Sequence, residues 1–275
     1  GRQPLDESKA GVRACIEFSL RGTPRDREEM QRELMKLSSE LEVDFSLQCD
    51  NVYCRLRRLI CFDMYSTLMQ TECIDELAEK AGVGEQVRAI TESAMRGEID
   101  FKESFTQRVA LLKGLDVSVM KELAENMPIT EGVERLMFVL KRYGYKIAIL
   151  SGGFTYFGEY LQKKFGIDYV YANELEVEDG KLTGRYLGDV VDGKRKAELL
   201  RLIAQVEKVD IAQTIAVGDG ANDLPMLSLA GLGIAFHAKP KVKENARQAI
   251  NTIGLDGVLY FLGFKDSYLE ERGRL

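Results

Sequence analysis

Four apolar residues, Leu59-Ile60-Cys61-Phe62, run unbroken into Asp63 and then into Met64-Tyr65-Ser66-Thr67. This is the pattern of a short strand, buried on both faces, that delivers a carboxylate to its C-terminal end. Before it, Arg13 to Leu20 and Val43 to Leu47 alternate apolar and polar and predict two strands. Between them Met30, Leu34, Leu37 and Leu41 recur at helical spacing after Pro24 and Asp26, so residues 1–57 read as a small α+β module. After it, Ile74 to Met127 is helical in pattern, punctuated by Gly82, Gly97 and Gly114. From Glu131 a βα rhythm begins, with helix 132–143, strand 146–150, helix 156–165 and strand 168–172. A hairpin over 176–188 turns at Asp179-Gly180, and helix 194–207, strand 214–218, helix 223–230, strand 233–236 and helix 240–249 follow. Alternating strands and helices predict an α/β fold, a doubly wound parallel sheet, with a helical insertion and the small N-terminal module.

Composition narrows what such a fold does. A 275-residue chain with 45% hydrophobic residues is long enough for a full core. A net charge of −6 offers no electrostatic footprint for nucleic acid or an anionic membrane, and no apolar run approaches the roughly 18 residues of a membrane span. Five cysteines without CxxC spacing predict reduced, packed thiols and a cytoplasmic location. The chain starts at Gly1 rather than Met, and is expected to be a processed or truncated piece. With His237 as its single histidine, carboxylates must carry most of any chemistry.

Sheets of this kind place ligands beyond the carboxyl ends of their strands. There stand Asp63, then Ser151-Gly152-Gly153, then Gly218-Asp219-Gly220-Ala221-Asn222-Asp223, with Lys196 opening the helix before the last of these strands. A nucleophilic carboxylate, a hydroxyl with free turn amides, an amine and further carboxylates make a phosphoryl-transfer site, in which Asp63 attacks phosphorus. A divalent cation on Asp63, Asp219 and Asp223 would screen the approach of carboxylate to phosphate, and hard oxygen ligands suit Mg2+. Ser151, the Gly152 amide and Lys196 would hold the remaining phosphoryl oxygens.

These motifs, in this order, resemble the haloacid dehalogenase superfamily and, within it, the phosphoserine phosphatases, over about residues 58–262. The resemblance implies a Rossmann-like core over 58–71 and 129–275, a helical cap over 72–128, and a hairpin flap at about 173–190. Residues 1–57 are similar to part of an amino-acid-binding ACT-type region, through which a homodimer would form. It further implies O-phospho-L-serine as substrate, cleaved to serine and phosphate through an aspartyl phosphate, the last step of serine biosynthesis. By the same resemblance Glu72 receives the substrate ammonium and Arg108 its carboxylate. Met95 and Phe101 shield the site, Asn222 joins the substrate contacts, and the backbone carbonyl of Tyr65 is a metal ligand beside Asp63, Asp219 and Asp223.

One position departs from the pattern. Two residues after the nucleophile the family carries an aspartate, acid to the leaving alkoxide and then base to the hydrolytic water; here it is Tyr65. A phenol of pKa about 10 is only on the order of 0.1% phenolate at neutral pH, and losing acid–base assistance costs about 10²–10⁴-fold. The bulkier ring is also expected to crowd the phosphate. Impaired turnover is therefore expected, and two other readings stay open: a phosphatase of another small phosphomonoester, and a non-catalytic serine or phosphoserine sensor. Singly, each motif has a plainer explanation: an Asp N-cap at Asp223, a tight turn at Gly152-Gly153, solvated charges at Glu72, Arg108, Lys194 and Arg195, ordinary cap core at Met95 and Phe101, a loop or capping residue at His237. Their joint placement at successive strand ends favours chemistry.

Overall fold

The computed structural model describes residues 15–50 and 56–264. Strand β1 (Leu59–Phe62) is buried at every position, because it lies in the middle of the sheet with layers on both sides. Ile60 and Phe62 enter one hydrophobic cluster, Leu59 and Cys61 the other, the alternation that a pleated strand imposes. On one side β1 pairs in parallel with β2 (Lys146–Phe154), and on the other with β5 (Thr214–Gly218). The full order is β4-β3-β2-β1-β5-β6-β7, with β3 at Tyr169–Glu178, β4 at Lys181–Leu187, β6 at Leu232–Phe236 and β7 at Gln248–Ile250. All neighbours are parallel except β3 and β4, an antiparallel hairpin. Its turn residues Asp179 and Gly180 have φ of 51° and 74°, the left-handed pair that a two-residue hairpin needs.

Helix α1 (Arg27–Leu41) precedes the sheet, capped by Asp26, whose carboxylate accepts from the Glu28 and Glu29 amides. Between β1 and β2 lie α2 (Cys73–Lys80), α3 (Gly84–Met95), α4 (Phe101–Ala110) and α5 (Ser118–Asn126), and then α6 (Val133–Arg142), which returns to the sheet. The two chain segments that leave and re-enter the sheet layer run side by side, Gln70 N–H donating to Pro128 O and Thr130 N–H to Leu68 O, each at 3.0 Å. At its far end the insertion is tied to the hairpin. Gly114 N–H donates to Leu182 O at 2.8 Å and Val117 N–H to Gly180 O at 3.0 Å, while Leu182 N–H returns to Leu115 O at 2.9 Å. Helices α7 (Thr155–Phe165), α8 (Gly193–Val206), α9 (Leu224–Leu229), α10 (Pro240–Asn245) and α11 (Val258–Phe261) complete the layers.

Three expectations are corrected. Residues 15–20 and 43–47 form no strand; a strand needs a hydrogen-bonded neighbour, and among the described residues none is offered to them. The positions Arg13 and Ala14 of the first predicted strand lie outside the described residues. Residues 15–50 instead lean on the end of the sheet layer, where the Asp44 carboxylate accepts from the Asn251 and Thr252 amides at 2.9 and 3.1 Å and Gln248 Nε2 donates to Leu47 O at 2.7 Å. The helix expected over 240–249 stops at Asn245, and Gln248–Ile250 becomes β7, because the open edge of β6 offers backbone partners that a further helical turn would leave unmet. Of the cysteines, Cys61 and Cys73 are buried and free, but Cys15 and Cys49 are exposed. Among the described residues, no helix is long and apolar enough to cross a membrane.

Packing is tight where β6 meets α9. A side chain on Gly233 would overlap the backbone carbonyl of Leu227, which cannot swing aside as a side chain could. Gly233→Ala is expected to lower stability by on the order of 1–3 kcal/mol, read as a lower urea midpoint at unchanged slope.

Candidate active site

The carboxyl ends of β1, β2 and β5 bring three of the sequence motifs together. Asp63 follows β1 directly and its N–H donates to Val217 O of β5 at 2.9 Å, so the sheet ladder itself sets its position. Lys196, on the first turn of α8, is fully buried. Its ammonium donates to Asp63 Oδ1 at 2.8 Å and to Asp223 Oδ1 at 2.7 Å. The other Asp223 oxygen accepts from the Asp219 and Gly220 amides at 3.1 and 3.0 Å, which fixes the loop after β5. Thr67, also fully buried, donates its hydroxyl to Asp219 Oδ1 at 3.3 Å.

One oxygen from each of Asp63, Asp219 and Asp223 lies within 4.8 Å of the others. Three carboxylates against one ammonium leave net negative charge in a place water reaches poorly. Burial pushes Asp63 upward against the pull of Lys196. Burial, with Asp223 beside it, raises Asp219 to about 6, and burial with Asp63 beside it raises Asp223 to about 6. Burial alone would lower Lys196, but the charges of Asp223 and Asp63 outweigh it and hold the ammonium above its ordinary value. Such a cluster of hard oxygen donors, carrying more charge than its own amine neutralises, fits a divalent cation.

Ser151 is fully buried at the end of the regular part of β2. The Gly153 N–H donates to Ser151 Oγ at 3.0 Å, which leaves the hydroxyl hydrogen to donate elsewhere. Phe101, half-buried at the start of α4, reaches over Gly152: a side chain on that glycine would press on the tip of the ring. Asn222 is half-buried in the single 3-10 turn Ala221–Asp223.

Glu72 stands at the mouth of α2, where its carboxylate makes no capping bond to the helix. It is reached by solvent but walled by protein, and that enclosure, with Asp63, Asp219 and Asp75 nearby, pushes it to about 8 against the pull of Arg108. Arg108 is half-buried and donates Nε to Ser104 O at 3.3 Å. Desolvation lowers it, while the charges of Glu72 and Asp75 hold it up. Asp75 was not singled out in the sequence; only its place one helical turn inside α2 brings it to Arg108. Met95, at the end of α3, is 71% exposed.

Tyr65 is only 5% exposed and belongs to the main hydrophobic cluster. Its ring lies against Gly153, where any side chain would collide with it. Its hydroxyl accepts from the Phe154 N–H at 3.4 Å and meets the Cys73 thiol, which in turn lies 3.2 Å from Met127 Sδ. An aromatic side chain gains by burial under the β2 turn. Burial, reinforced by Cys73, drives the phenol well above its ordinary value.

The sequence model of the haloacid dehalogenase-like hydrolases matches residues 60–228. A phosphoserine phosphatase of Archaeoglobus fulgidus is 46% identical over 247 residues, 89% of this chain and 72% of the relative. One of Haemophilus influenzae is 45% identical, over 85% of this chain and 74% of the relative. Among solved structures, a probable phosphoserine phosphatase from Vibrio cholerae in unliganded form superposes with a TM-score of 0.76 at 45% identity, covering 83% of this chain and 71% of that one. A substrate-bound phosphoserine phosphatase complex superposes with a TM-score of 0.70 at 43% identity, covering 75% and 98%. Family match, identity and superposition agree, and the chain belongs to the haloacid dehalogenase-like hydrolases.

Proposed function

We propose that this chain is a phosphoserine phosphatase whose turnover is limited by Tyr65, with O-phospho-L-serine as substrate and Asp63 as nucleophile. The observation that carries the reading is the buried ammonium of Lys196 shared between Asp63 and Asp223 at the carboxyl ends of the strands. The identity to phosphoserine phosphatases over most of the chain supports the substrate. Lys196 points one Asp63 oxygen inward and leaves the other to attack phosphorus, and the P–O bond to serine breaks as the new acyl-phosphate bond forms. The Ser151 hydroxyl and the Gly152 amide donate to the phosphoryl oxygens. Glu72 and Arg108 select a substrate bearing both an ammonium and a carboxylate, and Phe101 covers the phosphate end. Mg2+ on Asp63, Asp219, Asp223 and the Tyr65 carbonyl would supply charge screening between nucleophile and phosphate.

Two proton transfers remain, one to the departing serine oxygen and one from the water that hydrolyses the aspartyl phosphate. The Tyr65 hydroxyl, committed to Phe154 and Cys73 and held strongly protonated, serves neither. With Mg2+, Tyr65→Asp is expected to raise kcat by about 10²–10⁴-fold, followed as phosphate release from O-phospho-L-serine. Because it also empties a buried aromatic site, it should lower stability by roughly 3–5 kcal/mol. A folded Asp variant that releases no phosphate would sink the assignment. Burial of Tyr65 also favours the second reading, a phosphoserine sensor, whose mark is calorimetric binding without phosphate release in both forms.

The carboxylate cluster has its own signature. Asp219 and Asp223 are raised to about 6 in the folded chain, so the folded state holds protons that the unfolded state has already released. Their contribution to stability is present in full below about pH 4 and is lost as pH rises to about 6. In EDTA the urea midpoint should fall across that window, less so in Asp219→Asn, and Mg2+ should recover more stability at pH 7 than at pH 4.5.

For assembly and compartment we propose a homodimer through the N-terminal segment, where Ile16, Phe18 and Leu20 are 73–77% exposed, and a cytoplasmic setting in which the thiols stay reduced. Phe18→Asp should then shift the chain from dimer to monomer in sedimentation.

A further inference from the structure

Asn173 carries none of the roles described above, yet it is 1% exposed and both ends of its amide are used. Its Nδ2 donates to Gly152 O at 2.8 Å, and its Oδ1 accepts from the Val191 N–H at 2.9 Å. A carbonyl on one side and an N–H on the other fix the orientation of the amide without ambiguity.

Each partner leads to a phosphate-facing group. Gly152 O belongs to the peptide whose N–H, that of Gly153, donates to Ser151 Oγ at 3.0 Å. A peptide unit is planar, so a bond that fixes the carbonyl also fixes the direction of the N–H. The N–H in turn occupies a lone pair of Ser151 and turns its hydroxyl hydrogen outward. On the other side, Val191 precedes Asp192, whose carboxylate caps α8 at the Arg195 amide at 2.8 Å and whose carbonyl receives the Lys196 N–H at 2.9 Å. Asn173 also stands where β3 changes partner: it pairs with Phe154 of β2, and the next residue, Glu174, pairs with Leu187 of the hairpin.

We propose that Asn173 is a positioning residue that joins the Ser151 turn to the start of the Lys196 helix and orients the Ser151 hydroxyl toward the phosphoryl group through the Gly152–Gly153 peptide. This rests on the phosphatase reading of the same site and adds a residue that never touches the substrate. A merely structural Asn173 would weaken binding by the same factor whether or not Ser151 is present. A residue acting through Ser151 would not.

The test is a double-mutant cycle on the unaltered Tyr65 chain, with inorganic phosphate as the probe, saturating Mg2+, and calorimetry as the readout. Asn173→Ala is expected to raise the phosphate dissociation constant about fivefold, the scale of one lost hydrogen bond. In the Ser151→Ala background it should raise it less than about twofold. If Asn173→Ala does not melt cooperatively, Asn173→Asp serves in its place, since it keeps the acceptor for Val191 and the size while losing the donor to Gly152. Equal factors in both backgrounds, or no change in either, overturn the proposal while the phosphate site stands. A parent chain that binds no phosphate with Mg2+ overturns this inference and the phosphatase reading together.

Discussion

The site depends on one buried ammonium. Lys196 has no water to solvate it, and its two short contacts to Asp63 and Asp223 are what make its charge tolerable there. The dependence is mutual, since without the ammonium two enclosed carboxylates would face each other across the end of the sheet. That mutual need fixes three elements at once: the end of β1, the loop after β5 and the first turn of α8. The third carboxylate, Asp219, accepts from the Thr67 hydroxyl and stands beside Asp63 and Asp223, a cluster of hard oxygen donors that fits a divalent cation.

Around this triad the polar groups are held by internal partners. Asp223 spends one oxygen on Lys196 and the other on two backbone amides; Ser151 accepts from Gly153 and keeps its hydrogen. Tyr65 has its hydroxyl turned inward to Phe154 and its ring filling space beneath Gly153. The residue is a packing element under the β2 turn.

The insertion and the hairpin are joined. Backbone bonds from Gly114 and Val117 to the hairpin, and the ring contact of Phe105 with Tyr186 at 5.1 Å, hold them together. The paired linkers near Gln70 and Pro128 and the base of the hairpin at Asn173 and Glu174 connect them to the sheet layer.

The local pattern of the chain determined much by itself. The unbroken run Leu59–Phe62 read as a buried strand, Asp179-Gly180 as a tight turn, and carboxylates, glycines and a lysine at successive strand ends as phosphoryl chemistry, because periodicity and turn preference are short-range properties. Other features depended on which distant segments meet. That residues 15–20 and 43–47 form no strand among the described residues, and that 248–250 leave a helix for an edge strand, follows from which segments meet, which periodicity does not encode. The direction of the Tyr65 ring, the exposure of Met95, the approach of Asp75 to Arg108 and the two-ended grip of Asn173 were likewise decided by the tertiary structure. Side-chain orientation and charge coupling depend on distances between residues far apart in sequence, and only the folded chain sets those distances.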